Sequence, residues 1–319
     1  MTWRTYIDGN SVGHAASHGA GKQKKLYAGD QETTAIYGML KSMQKIMRER
    51  AASLPVVLWD GRSWRFERFP EYKANRTDDA QKLKDRAAYK SQRPAMFKGL
   101  HLLGVRQLIA GNMEADDLAA LVTKRALANG DNVALITGDQ DWIQLVEPGV
   151  VWVDHKTKPE RKVNASNFKD FTGFNSPKAF VQGKGLAGDA GDNVKPTTGV
   201  GKDTAPLLLE TFGDVETFLA TPLDEAKDRY FLMHGKRMPP KCAKFHSDPE
   251  AQARYDWALG LMDLNHPSIP RPMRLTATHQ PLDRAAFESF CQQYSFGSIL
   301  AQMDTFLVPF LANEKEYAN

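Results

Sequence analysis

The stretch Val133-Ala134-Leu135-Ile136-Thr137-Gly138-Asp139-Gln140-Asp141 decides how this chain is read. A short apolar, partly β-branched run has the length of a buried strand. It ends in a Gly turn, and two carboxylates follow one residue apart, just before the helix-like Trp142-Ile143-Gln144-Leu145-Val146. In open α/β folds, ligands gather in the crevice at the carboxyl ends of the strands. Acids crowded there repel one another unless a hard cation sits between them. A single such pair is more often an Asp N-cap beside a solvated turn. Here the pattern recurs, and recurrence shifts the balance.

Residues 3–7 read as a first strand, ending at Asp8-Gly9-Asn10. Residues 55–59 form a second, ending at Asp60-Gly61. A third, 105–109, precedes Glu114-Ala115-Asp116-Asp117, which opens a helix over 118–128. One or two acids satisfy the free N–H groups and dipole of a helix start, and a third adds repulsion. Residues 150–153 form a fifth strand. Between them, 11–30 read as an exposed loop and 31–52 as a helix, whose stripe of Ile36, Met39, Leu40, Met43, Ile46 and Met47 is core packing. Strands alternating with helices over 3–153 predict an α/β fold, a mainly parallel sheet with helices on both faces. Beyond 175 the strand signals fade, and 214–319 read as helices separated by Pro-containing loops. Another spaced acid pair, Asp189 and Asp192, precedes the tight turn Gly199-Val200-Gly201-Lys202-Asp203-Thr204, whose backbone N–H groups suit a phosphate.

The 319 residues, 42% hydrophobic, suffice for one large or two modest domains. Net charge is +4, yet residues 62–98 hold 11 Lys/Arg against 5 Asp/Glu, so the rest of the chain is net negative. A basic block beside an acidic remainder suits a polyanion held next to a metal site. The block includes Arg62, Arg65 and Arg68, then Lys82, Lys84, Arg86 and Lys90 in a stretch, 77–93, poor in apolar anchors and expected to project and move. Two distant cysteines, Cys242 and Cys291, exclude a zinc ribbon and fit buried thiols. The eight His show no HExxH spacing and are read as structural or solvent-facing. No signal-peptide or membrane-spanning run is found, which predicts a soluble, cytoplasmic protein.

The candidate acids are therefore Asp8, Asp60, Glu114, Asp116, Asp117, Asp139, Asp141, Asp189 and Asp192. An all-carboxylate set suits Mg²⁺ or Mn²⁺ rather than zinc, and so many acids suit two ions acting on a phosphodiester. Lys73 and Arg76, one turn apart on a helix expected after Pro70, are placed to meet charge developing on the scissile phosphate.

In their order along the chain these motifs resemble the 5′→3′ exonuclease / flap endonuclease family in its stand-alone phage or bacterial form. The matching residues are Ile7-Asp8-Gly9-Asn10-Ser11; Asp60-Gly61 with Pro70, Tyr72, Lys73 and Arg76; Glu114-Ala115-Asp116-Asp117; Thr137-Gly138-Asp139-Gln140-Asp141; Gly188-Asp189 with Asp192-Asn193; and Gly199-Val200-Gly201 with Thr204-Ala205. The resemblance implies a PIN-like nuclease domain over 1–175 and a helical C-terminal domain over 176–319 with a SAM-like helix–two-turn–helix. By it, Asp8, Asp60, Glu114 and Asp116 serve a first metal, and Asp117, Asp139, Asp141, Asp189 and Asp192 serve a second or its outer shell. Residues 73–98 form a helical arch for a single-stranded 5′ end. Tyr72 stacks on a base, Lys73 and Arg76 steady the transition state, and the turn of Gly199, Gly201, Lys202 and Thr204 grips duplex, often around K⁺. The implied substrates are flaps, nicks and duplex ends, with RNA primers as an extension. The implied setting is a nucleoid-associated or phage-infected-cell monomer working beside a replication polymerase or single-strand-binding protein. The family's Ile-Pro-Gly after Asp-Asn is replaced by Val194-Lys195-Pro196, and its Arg after the first Asp-Gly-Asn is missing, with His14 nearby. The alternatives are a PIN-like single-strand ribonuclease and a non-catalytic, structure-specific DNA-binding protein.

Overall fold

The structure is a computed structural model that describes residues 2–18, 25–50, 54–77, 79–157, 159–197 and 199–318. Its centre is a seven-stranded sheet. In chain order its strands are β1 (Trp3–Asp8), β2 (Pro55–Trp59), β3 (Arg106–Ile109), β4 (Asn132–Ile136), β5 (Val150–Val153), β6 (Lys162–Val163) and β7 (Thr276–Thr278). Their spatial order is β6-β5-β4-β1-β2-β3-β7. The five inner strands are parallel, and β6 and β7 close the two edges antiparallel. The register aligns Ile7 with Val57 on one side and with Ile136 on the other. The chain builds outward from β1 through β2 and β3, then crosses to β4 on the opposite side. That reversal opens a crevice at the carboxyl ends of β1 and β4, where the acids lie.

Continuous apolar runs form these strands because both faces are covered. One face carries α1 (Gly9–His18), α2 (Thr34–Arg50) and α3 (Ala80–Leu102), with Ile7, Val57 and Trp59 packed against Ile36, Met39, Leu40 and Met96. The other carries α4 (Ala115–Ala128) and the short turn of helix Gln140–Leu145, with Leu58, Leu135 and Trp152 against Leu118, Trp142 and Ile143. A separate helical core holds Leu186 of α5 (Pro177–Ala187), Leu208 of α6 (Ala205–Phe212), and Phe218, Tyr230, Phe245 and Tyr255.

Several sequence expectations are corrected. The loop expected over 11–30 begins as α1, started by Asp8, whose carboxylate accepts the Ser11 N–H at 2.8 Å. Gly13 belongs inside this helix because Tyr89 lies on it, and a Cβ there would stand 2.8 Å from the ring. Residues 19–24 and 51–53 lie outside the described residues. Lys73 is not helical: it sits in a turn at φ 59°, and only Ala74–Thr77 make a short turn of helix. The stretch expected to project, 77–93, supplies the first part of the 23-residue α3, but Tyr89 and Gln92 within it are buried, as is Met96 beyond it. The boundary at 176 does not hold to the end of the chain. Residues 276–278 add β7 to the sheet, and Phe287, Phe290, Phe306 and Phe310 enter the same core as α2 and α3. Thr276-Ala277-Thr278, an edge strand with no apolar run, carries little sequence signal.

Candidate active site

Each central acid is placed by an element end and oriented by a hydrogen bond. Asp8, the last residue of β1, also accepts the Thr137 hydroxyl at 2.7 Å, which ties it to the end of β4. Asp60 follows β2 and accepts the Ala115 N–H at 2.8 Å. The next residue is Gly because the chain passes against the loop after β3: a Cβ on Gly61 would lie 1.8 Å from the Ala110 carbonyl oxygen. Glu114 is the N-cap of α4 and Asp116 stands in its first turn, accepting the Trp142 indole N–H at 2.6 Å. Asp139 follows β4 and accepts the Asp141 N–H at 2.9 Å. These five carboxylates line one cavity of about 370 Å³, with Lys73, Arg76, Lys156 and His14 at its walls. Three strand ends and a helix start thus converge at the switch point.

The electrostatics follow from crowding in a buried place. Burial pushes Asp8 up to about 6, helped by Asp139 and opposed by the bonds from Ser11 and Thr137. Burial, then Glu114 and Asp8, push Asp60 to about 6. Burial and Asp141 raise Asp139 to about 6. Asp116 is raised well above the carboxylate range by burial and by Asp139, Glu114 and Asp60. Glu114 goes the other way: burial opposes its charge, but Lys73 and Arg65 outweigh it and hold its pKa low.

Among the described residues no three His, Cys, Asp or Glu side chains stand close enough to hold a metal ion as they are arranged. The donor set nevertheless fits one. It is all oxygen, each carboxylate is oriented by a protein hydrogen bond, and its members repel one another in a shared cavity. Such a set suits a hard divalent cation.

The remaining acids carry protein cations. Asp117 is fully buried in a two-pronged pair with Arg65, whose Nη1 and Nη2 lie 3.0 and 2.9 Å from its oxygens. Its carboxylate also closes a capping box on α4. Asp117 therefore serves the helix start rather than the cavity, which corrects its place among the ligands. Arg65, expected on the DNA surface, is 3% exposed and spans Asp117 and Glu114, which corrects that assignment too. Asp192 receives Arg76 at 2.8 Å and the Tyr72 hydroxyl at 2.8 Å, and Lys73 pairs with Glu114. Tyr72, expected to stack on a base, is 3% exposed with its hydroxyl shared between Glu114 and Asp192. Its ring is an internal brace, closed off by Phe66. Asp141 and Asp189 lie on the side toward α5, both paired with Lys184.

Of the expected DNA contacts, Arg62, Lys82, Lys84, Lys90 and Lys202 are exposed, and Arg86 is half-buried with its guanidinium on the Arg76 carbonyl. Arg68 is exposed but engages Ser268 at 2.7 Å. Gly199 takes φ 73°, and the N–H groups of Thr204 and Ala205 turn back to the Gly201 carbonyl at 3.0 and 2.9 Å, starting α6. Sequence reading missed four residues at the acids: His14, Arg93, Lys156 and Lys184. Arg93 donates to the Asp60 carbonyl at 2.5 Å. Lys156 lies just past β5, at the same sheet edge as the acids, and that position was its available signal.

The fold and the site define a class: an open, mainly parallel α/β protein with an all-carboxylate centre at its switch point, rimmed by cations. Within that class the chain belongs to the 5′-3′ exonuclease family, whose N-terminal resolvase-like domain matches residues 5–173. Sequence relatives include DNA polymerase I of Bacillus caldotenax, 31% identical over 233 residues, covering 69% of this chain and 24% of that one. The thermostable DNA polymerase I of Thermus thermophilus is 28% identical over 282 residues, covering 86% of this chain and 30% of that one. The chain thus spans about a quarter to a third of the length of these relatives. Among solved structures, the bacteriophage T5 flap endonuclease in a complex with DNA and metal ions aligns with a TM-score of 0.65 at 19% identity, covering 98% of this chain and 99% of that one. The catalytic core of Rad2 with DNA substrate aligns at 0.57 and 16% identity, covering 96% and 91%. These likenesses carry the fold.

Proposed function

We propose that this protein is a structure-specific, metal-dependent 5′ nuclease that hydrolyses DNA phosphodiesters at 5′ ends and flaps. The observation that carries the reading is the convergence of Asp8, Asp60, Glu114, Asp116 and Asp139 from four chain segments on one cavity whose walls include Lys73 and Arg76. Asp8, Asp60, Glu114 and Asp116 would hold a first Mg²⁺ or Mn²⁺; Asp139, expected from the sequence to serve the second, lines the same cavity and would join the first, with Asp141, Asp189 and Asp192 serving the second. Bound divalent ions supply Lewis-acid stabilisation of a phosphoryl oxygen and a water of lowered pKa. Lys73 and Arg76 supply positive charge where the pentacovalent phosphorus gathers negative charge. Lys73 is kept charged despite burial by Glu114 and Asp192. Its left-handed backbone aims the ammonium into the cavity, a conformation that costs roughly 1–3 kcal/mol and is typical of functional positions. Tyr72 holds Glu114 and Asp192 in register, a positioning role in place of stacking.

The exposed lysines of α3 suit a single-stranded 5′ end, and the turn over 199–204 suits duplex backbone with a K⁺ ion. Flaps, nicks and duplex ends are the substrates in this reading, and a replicative polymerase or single-strand-binding protein is its partner. The test is a time course on 5′-labelled flap, nicked and blunt DNA. Mg²⁺-dependent release of 5′-phosphorylated products is expected, lost on Asp116→Asn. Cleavage at the wild-type rate by Asp116→Asn, or by protein held in excess chelator, would falsify the reading.

A further inference from the structure

The acids of the site divide by what holds them. Asp8, Asp60, Asp116 and Asp139 are held by the neutral donors Ser11, Thr137, Ala115, Trp142 and the Asp141 N–H. Asp141 and Asp189 are held by a cation of the chain itself. The Lys184 ammonium bonds Asp141 Oδ1 and lies 3.3 Å from Asp189 Oδ2. All three side chains are 20–30% exposed, so the pairing is only partly screened by water. The two carboxylates come from different places, one after β4 and one in the turn Ala190–Asp192's own cap position, yet both converge on this one ammonium.

The base of Lys184 is fixed. Its helix, α5, is capped by Ser176, and the neighbouring Gln182 bonds the Val215 N–H at 2.9 Å and Glu216 at 2.8 Å. Only the side chain, with four rotatable bonds, is free to leave. The space it fills is the space between two carboxylates that would otherwise repel each other.

We propose that Lys184 is a resident counter-ion that holds the Asp141–Asp189 position shut, so that the two divalent ions bind in sequence and unequally. The first enters among Asp8, Asp60, Asp116 and Asp139, none of which is bonded to a lysine; of the first ion's ligands only Glu114 already carries cations, Lys73 and Arg65. The second displaces the Lys184 ammonium. This rests on the metal-dependent reading above and adds an order of loading to it.

The test is calorimetric titration of the whole, DNA-free protein with Mn²⁺. Wild type is expected to bind one ion tightly and a second more weakly. Lys184→Met, close in size but uncharged, is expected to tighten the second ion by about tenfold, the factor equivalent to ~1.4 kcal/mol. It leaves the first unchanged and lowers the metal-free Tm. Lys184→Arg keeps the charge and should retain the weak second step, so it serves as the folded reference if Lys184→Met is unstable. Adding Asp141→Asn to Lys184→Met should abolish the gain. A second step unchanged or weakened in Lys184→Met, or two equally tight ions in wild type, overturns the proposal while the nuclease reading stands. Absence of any Mn²⁺ binding in every variant removes both.

Discussion

Asp8, Asp60, Asp116 and Asp139 are kept in an arrangement that costs stability when all are charged. Three have pKa values near 6, against 3.8 for the ordinary side chain, and Asp116 is raised further. A raised folded-state pKa means the protonated form is favoured in the folded protein. The stability each group contributes is complete below 3.8 and is lost as pH rises through about 6. Glu114 and Asp189 oppose this at the acid end, because their lowered values make stability fall as pH drops through their range. Metal-free protein should therefore melt higher at about pH 5 than at about pH 8. Excess Mg²⁺ should raise the Tm at the higher pH and flatten the profile. Asp116→Asn should gain on the order of 1–3 kcal/mol of metal-free stability at neutral pH. A flat metal-free profile from differential scanning calorimetry would count against burial and mutual repulsion as the forces on these carboxylates. At this scale the acids stand out in the sequence, because strand ends and helix starts mark them. Their partners do not. Asp117 and Asp116 are adjacent with the same side chain, and only the buried Arg65 separates their roles. Tyr72 likewise reads as an exposed aromatic until Glu114 and Asp192 are seen to claim its hydroxyl.

Among elements, α3 divides into two parts with different tasks. Lys82, Lys84 and Lys90 face solvent, whereas Met96, Gly99 and Leu100 are buried against α2 and the C-terminal helices. Its N-terminus is fixed by Asp79, which accepts the N–H groups of Gln81 and Lys82 at 2.9 and 3.1 Å. Replacing the three exposed lysines with Ala should leave the Tm within about a degree or two, since Ala favours helix and no packing is lost. The same variant should weaken binding of single-stranded 5′ flaps, and the slope of log K against log[salt] should shrink by ~2 for three lost phosphate contacts. Met96→Ala should do the reverse, costing ~2–5 kcal/mol with the salt slope intact. An unchanged slope in the triple variant would remove the lysines from the DNA path. The two-part design explains why the sequence reads 77–93 as a projecting stretch of its own. Charge density and Pro94 interrupt the periodic pattern, but one helix runs from Ala80 through Pro94 to Leu102. The opposite error befell α1, where Gly and Lys suggested loop. There Gly13 is present for close packing under Tyr89, a contact between residues 76 positions apart that local pattern cannot show.

At the scale of the molecule, the chain closes on itself. The expected division at 175/176 followed the fading of strand signals, and local signals do record that change. They do not record that the last segment returns to the first core. Phe287, Phe290, Phe306 and Phe310 are each no more than 2% exposed, in one cluster with Ile36, Met39 and Met96. Burying an aromatic or aliphatic side chain is worth ~1.5–3 kcal/mol. Loss of four such rings is thus comparable to the whole 5–15 kcal/mol stability typical of a domain, an approximate range. Removing β7 would also leave N–H and C=O groups of β3 unpaired, an open edge prone to association. A fragment of residues 1–175, although it spans the whole family match over 5–173, should therefore lack a cooperative thermal transition and should bind hydrophobic dyes. Supplying residues 274–319 as a separate chain should restore the transition in proportion to its concentration, because the same strand and rings are returned without the linker. Helices from 177 to 262 have their own core and should not be needed for this rescue. A 1–175 fragment that melts cooperatively near the temperature of the whole chain would mean that the first core is complete without the last segment, and that the packing of these phenylalanines adds little.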